Sequence, residues 1–278
     1  MLATLNDVLP KARAEKYAVG LFNTIDTAML EAAISAAEEM RSPIIIGTAE
    51  VLLKYGELKL IAPSLIAAAQ RASVPVVVHY DHGLTFERCI EALKCGFTSV
   101  MFDGSLGDNN ANIENTKEIV RIAHAVGASV EGEIGHVGEA AFGDNGTSDR
   151  YTTSKEAIDF VKATGVDALA VAIGTAHGKY KIKPKLDFER LSELRSTVDV
   201  PLVLHGGSGL SDTDFTNSVK NGISKVNIFT DLCSAGEDAT EEALKCGKGY
   251  LETRNIVVES IKKAVIRKIE LFGSANKA

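Results

Sequence analysis

Short runs rich in apolar and β-branched residues recur along the chain at 17–23 (YAVGLFN), 43–48 (PIIIGT), 74–80 (VPVVVHY), 99–103 (SVMFD), 129–135 (SVEGEIG), 168–174 (ALAVAIG), 201–207 (PLVLHGG) and 225–230 (KVNIFT). Short runs of this kind, bounded by glycine, proline or polar residues, are the pattern of strands covered on both faces of a sheet. The segments between them, such as DTAMLEAAISAAEEM, TFERCIEALKCG, IENTKEIVRIAHAVG, SKEAIDFVKATG and DFERLSELRSTV, carry apolar residues at helical spacing, several with a glycine stop. Eight strand–helix alternations predict an α/β fold, a (β/α)8 TIM barrel, which typically uses about 250 residues as a single domain. The rival is an open doubly wound sheet. It usually stops at about five or six strands and often opens with a GxGxxG turn, and no such turn is present here.

Two stretches fall outside the alternation. An amphipathic segment at 255–273, NIVVESIKKAVIRKIELFG, follows the eighth unit and predicts an extra C-terminal helix that either closes the barrel base or contacts a second subunit. The segment 136–151, HVGEAAFGDNGTSDRY, has no strong periodicity and follows the fifth strand. It reads either as a lid over the barrel mouth or as a disordered excursion. The expected organisation is one barrel domain over 1–278.

Charge narrows the partners. A net charge of -7 and a pI near 5.5 speak against general binding to nucleic acid or an anionic membrane surface, both of which need a basic face. No apolar stretch approaches the roughly 18 residues of a membrane span. The first residues, MLATLNDVLPKARAEK, lack the charged-then-apolar order of a signal peptide, so a soluble cytoplasmic protein is expected. Cys89, Cys95, Cys233 and Cys246 form no CxxC pair and read as reduced thiols.

Chemistry concentrates where strands end. His82, His177 and His205 each follow an apolar run, in YDHG, GTAHGKY and VLHGGSG. A lone histidine at such a place is usually a rim or core residue, but a parallel barrel gathers all strand ends at one mouth. Three neutral imidazoles converging there, with a fourth position open, suit a catalytic zinc ion. Asp81 stands beside His82, and Asp103, Glu131 and Glu133 also end strands at that face. Alternation sends Glu131 and Glu133 to the same side. Buried carboxylates need a cation or an ion-pair partner, and the sequence leaves both readings open. His79 is ambiguous, His124 reads as structural in mid-helix, and His136 is undecided. The glycines of GGSG (206–209), with Asn227 to Asp231 after the eighth strand, suit a phosphate cradle at loops seven and eight, where Lys179 would add charge.

In these motifs the chain resembles the class II, zinc-dependent ketose-bisphosphate aldolases, the family of fructose- and tagatose-bisphosphate aldolases. The resemblance runs from FN at 22–23 to the terminal KIELFGSANKA and is carried by YDHG (80–83), VEGEIG (130–135), AIGTAHGKY (172–180), VLHGGSGL (203–210) and KVNIFTD (225–231). It implies that His82, His177 and His205 ligate zinc and that Asp81 handles the proton of the substrate hydroxyl. Asp103 and Glu133 match acidic residues near the metal that can hold a second or displaced ion. Asn23, Gly178, Gly206, Ser208, Asn227 and Thr230 match positions around a dihydroxyacetone phosphate half, often supported by a monovalent cation such as Na+ or K+. Glu139 is the nearest match to the loop acid that protonates the enediolate, although GHVGEAAFGD departs from the usual acidic cluster.

The expected activity is reversible cleavage of a ketose 1-phosphate or 1,6-bisphosphate to dihydroxyacetone phosphate and an aldehyde, by a homodimer or homotetramer. Where bisphosphate-specific members carry an arginine before a YL pair, reaching across a dimer to the far phosphate, this chain has CGKGYLETR, with Lys248 near that place and Arg254 beyond. Lysine does not reproduce the two-pronged grip of arginine on phosphate, which puts the second phosphate in question. Phe229 narrows the aldehyde side. The rival functions are a metal-dependent sugar-phosphate epimerase or isomerase on the same barrel and a non-catalytic partner subunit of an aldolase.

Overall fold

All eight apolar runs form strands: β1 Val19–Asn23, β2 Ile44–Ala49, β3 Val76–Gly83, β4 Ser99–Phe102, β5 Ser129–Ile134, β6 Ala168–Val171, β7 Leu202–Leu204 and β8 Ile223–Ile228. The computed structural model describes residues 1–135, 137–139, 151–178, 180 and 184–278. Every neighbouring pair of these strands is parallel. β8 pairs with β1, and β3 pairs with β4, so the eight strands close on themselves as a (β/α)8 barrel. The helices are α1 Leu5–Glu15, α2 Thr27–Glu39, α3 Leu58–Arg71, α4 Phe86–Lys94, α5 Asn109–Ala125, α6 Ser154–Thr164, α7 Phe188–Thr197, α8 Asp212–Lys220, α9 Thr230–Lys245 and α10 Tyr250–Phe272.

Alternation along the strands separates two cores. Outward residues such as Phe22, Ile46, Val78, Val100, Val130, Leu169, Leu204 and Val226 pack beneath the helices. Inward residues Val19, Leu21, Ile45, Val77, Ala168, Ala170 and Val203 form a separate apolar cluster with Leu5, Val8, Leu9 and Ala12 of α1. The chain's first helix therefore seals the barrel floor. A two-residue strand, Leu2–Ala3, pairs with the start of β3 and leads into α1, whose Leu5 N–H donates to Ser129 Oγ at 3.0 Å.

The predicted C-terminal helix is present and starts earlier, at Tyr250. It does not plug the base. Its buried face, Val258, Ile261, Val265, Ile269 and Phe272, lies against α9 and α2 and closes the helical ring between the last unit and the first. All four cysteines are free thiols. Among the described residues, no helix is long and apolar enough to cross a membrane.

Candidate metal centre and active site

The mouth is built where the strands end, and β3 supplies its most unusual turn. Simple alternation would point Asp81 and His82 to opposite faces. The β3–β4 register shifts between Tyr80 and Gly83, and His82 has a φ of 44°. A left-handed backbone is uncommon for a residue with a Cβ, and such strain gathers at functional sites. The irregularity brings both side chains to one cavity of about 350 Å³. His177 arrives from a two-residue strand after β6, Ala176–His177, which pairs with Gly138–Glu139 beyond β5. His205 follows β7 and is wholly buried.

The three imidazoles meet. Ring centroids lie 4.5 Å apart for His82 and His205, 4.9 Å for His82 and His177, and 6.0 Å for His177 and His205. One nitrogen from each lies within 4.8 Å of the others. The nitrogens on the far side are held by carboxylates: His82 Nδ1 is 2.7 Å from Asp103 Oδ2, and His205 Nε2 is 2.8 Å from Glu131 Oε1. That is the outer support metal-bound histidines commonly have, since it fixes ring orientation and leaves the other nitrogen to the metal. His177 Nε2 is buried with no hydrogen-bond partner, an expense that a metal ligand explains. The donor set fits a divalent ion such as zinc. A second group, His82, Asp103 and Glu133, overlaps the first.

Electrostatics sharpen the picture. Burial opposes a charge on His82, but Asp81, the hydrogen bond with Asp103 and the Glu133 carboxyl outweigh it and lift the ring to about 10. His82 Nε2 lies 2.8 Å from His205 Nδ1. Burial, then the His82 charge, lowers both His177, to about 3, and His205. Burial and the nearby Asp103 carboxylate push Glu133 up to about 8. Burial opposes ionisation of Asp81, yet His82 and Lys225 hold it well below the usual carboxylate range.

Asp81 is oriented from both sides. Asn23 Nδ2 donates to one carboxylate oxygen at 2.7 Å and Asn227 Nδ2 to the other at 2.9 Å. Beneath it lie His79, Glu131 and Lys225, all wholly buried. His79 Nδ1 meets Ser99 Oγ at 2.7 Å, and its Nε2 faces Asp81 and Glu131 at 3.8 and 3.9 Å.

The other end of the cavity suits an anion. Gly206, Gly207 and Ser208 line it together with Thr230, the first residue of α9, and a helix N-terminus favours negative charge. Phe229 N–H and Asp231 N–H donate to Ser208 Oγ at 3.3 and 3.4 Å. Gly206 has a φ of 65°, and a Cβ there would lie 2.5 Å from Ala176 O, so only glycine allows loops six and seven this close. Tyr180 staples the same loops, donating to Gly206 O at 2.7 Å while accepting from Ala176 N–H at 2.8 Å. The wall away from this cradle is apolar, with Val51, Leu52, Leu84 and Leu106.

Of the residues singled out from sequence, Asn23, Asp81, His82, Asp103, Glu133 and His177 line this cavity, as do Gly178, Gly206, Ser208, Asn227 and Thr230. His205 stands behind them against His82. Lys248 is not among the residues lining this cavity: it sits in the turn between α9 and α10, exposed and paired with Glu252 at 3.0 Å, and its expected place is at the far phosphate of a neighbouring copy. Lys179, His136 and most of the expected lid, 140–150, lie outside the described residues; of Glu139 only the backbone is described, pairing with His177. His124 lies on α5, with Nε2 2.8 Å from Asp167 Oδ2. Sequence reading missed Lys225 and Tyr180. An inward position on β8 occupied by lysine was the available signal for the first, and for the second there was none.

Comparison with known proteins gives the same direction. The family profile described as fructose-bisphosphate aldolase class-II matches residues 3–277. A 6-phospho-5-dehydro-2-deoxy-D-gluconate aldolase of Shouchella clausii is 40% identical, over 98% of this chain and 94% of its own. A fructose-bisphosphate aldolase of Thermus caldophilus is 39% identical over the whole of both chains. The crystal structure of the YdjI aldolase from Escherichia coli superposes with a TM-score of 0.91, at 38% identity and full coverage of both chains. With the barrel, the histidine cluster and these matches together, the chain belongs to the class II fructose-bisphosphate aldolase family and is a carbon–carbon lyase.

Proposed function

We propose that the protein is a zinc-dependent aldolase that reversibly cleaves a ketose 1-phosphate, or a ketose 1,6-bisphosphate of the fructose or tagatose type, to dihydroxyacetone phosphate and an aldehyde. The observation that supports this reading most is the meeting of three imidazole nitrogens within 4.8 Å of one another in a cavity that Asp81 shares. His82, His177 and His205 would hold the ion, with Asp103 and Glu133 as an alternative position. The chemistry zinc supplies there is Lewis-acid stabilisation of the negative charge left on the three-carbon half when the bond between carbons 3 and 4 breaks.

The chain's own residues do the rest. Asp81, kept ionised and held by Asn23 and Asn227, takes the proton of the carbon-4 hydroxyl during cleavage and returns it during condensation. Gly178, Gly206, Ser208, Asn227 and Thr230 hold the phosphate half, with Lys179 adding charge and Na+ or K+ supporting the cradle. Glu139, whose backbone runs beside His177, returns a proton to carbon 3. The working form is a cytoplasmic homodimer or homotetramer, and a second phosphate on the substrate would meet Lys248 of a neighbouring copy. The named relatives act on different phosphorylated substrates, which is why the aldehyde half stays broad.

The test is a panel of ketose 1-phosphates and 1,6-bisphosphates incubated with purified protein, with triose phosphate release coupled to a reporter, before and after chelation and after zinc is returned. Chelator-sensitive release restored by zinc is expected. Epimerised or isomerised ketose without triose phosphate would favour the epimerase reading, and activity surviving full metal removal would reject the zinc mechanism.

A further inference from the structure

Below the mouth lies a charged side chain that makes no contact of its own in the reaction proposed above. Lys225 is wholly enclosed in the barrel; its Nζ lies 2.9 Å from Glu131 Oε2 and donates to Asn227 Oδ1 at 2.6 Å. It is not part of the cavity wall, so substrate held there does not touch it. Enclosing an ion pair is expensive, and apolar side chains of the same volume often pack as stably or better. A use for the charge is therefore called for.

The donor inventory supplies one. An ammonium group only donates, so the Asn227 amide must turn its oxygen to Lys225 and its nitrogen away. That nitrogen is the one donating to Asp81 Oδ1 at 2.9 Å. The same cation acts a second time through Glu131, whose Oε2 lies 2.9 Å from Nζ while its Oε1 accepts from His205 Nε2 at 2.8 Å. A proton fixed on Nε2 leaves Nδ1 as the lone-pair nitrogen of His205, on the side of His82.

We propose that Lys225 is a positioning residue, one buried ammonium that sets the His205 tautomer through Glu131 and the orientation of the Asp81 carboxylate through Asn227. The proposal rests on the reading of His205 as a metal ligand and Asp81 as proton carrier. It assigns to a residue outside the cavity the simultaneous alignment of both.

Full-length Lys225→Met, Glu131→Gln and the double variant are compared with wild type in three measurements: zinc affinity by competition with a chromophoric chelator, the His205 tautomer from ring nitrogen chemical shifts of the metal-free protein, and kcat and KM for a ketose 1-phosphate. Lys225→Met is expected to weaken zinc binding by about 10- to 100-fold, the usual cost of a lost outer partner. It should also lower kcat by about 100-fold with KM within about threefold, the split expected when alignment rather than substrate binding is lost. His205 should shift from one tautomer to a mixture. The double variant removes both buried charges, so it is the one to measure if Lys225→Met alone does not fold. Because both changes cut one chain of contacts, it should lose no more zinc affinity than Glu131→Gln alone. Additive losses, or a double variant with wild-type tautomer and zinc affinity, would overturn the proposal. Wild-type protein that binds no zinc would instead bring down the reading of the site on which the proposal stands.

Discussion

Inside the same eight strands, the floor of the barrel and the layer that supports its mouth are both buried and chemically opposite. Val19, Leu21, Ile45, Val77, Ala168, Ala170 and Val203 make an apolar floor against α1. One level higher, His79, Asp81, Glu131, His205, Lys225 and Asn227 are enclosed almost as fully. The floor gains roughly 25 cal/mol for each Å² of apolar surface taken from water. The layer above gains little, because each buried polar group must first recover what it lost in leaving water. A fold needing only stability would carry the floor upward. The difference marks where stability yields to chemistry.

Substitutions on either side should separate these roles. The largest effect is expected from Asp81→Asn, which keeps the shape but removes the proton acceptor: kcat should fall by about 10²–10⁴-fold, the range for general acid–base catalysis, with zinc content by atomic absorption unchanged. Zinc loss in that variant would move Asp81 into the ligand set. Leu21→Ala on the floor should do the reverse, costing about 2–5 kcal/mol in urea unfolding through the cavity it leaves, while kcat well below the melting temperature stays within about twofold.

A smaller effect links the two layers. Zinc at 100 times its dissociation constant should stabilise the wild type by about 2.7 kcal/mol by mass action. Leu21→Ala should retain that increment and His205→Ala should lose it, as read from melting temperatures with and without the metal. The smallest effect belongs to Lys248→Ala. Its exposed pair with Glu252 should contribute under about 1 kcal/mol, and turnover of a ketose 1-phosphate should change by less than about twofold. A loss confined to a 1,6-bisphosphate would assign Lys248 to the far phosphate.

The floor was more legible from sequence than the mouth. Continuous apolar runs reveal buried strands, and eight of them over this length leave few ways to close, so β1 to β8 and their order followed from periodicity. Histidines at strand ends pointed to the mouth for the same reason. What periodicity does not carry is local backbone geometry. The shifted register at Tyr80–Gly83 and the positive φ of His82 put adjacent Asp81 and His82 in one cavity against the rule of two. Nor does it carry reach across the barrel. Lys225 enters β8 beside Val19 of β1, and only the closed ring sets it against Glu131 of β5.

The central claim is that His82, His177 and His205 share one divalent ion. Anomalous diffraction at the zinc edge, from crystals grown with stoichiometric zinc, tests it directly. A single peak contacting one nitrogen of each of the three rings is the expected result; a peak elsewhere, or none, would contradict the account.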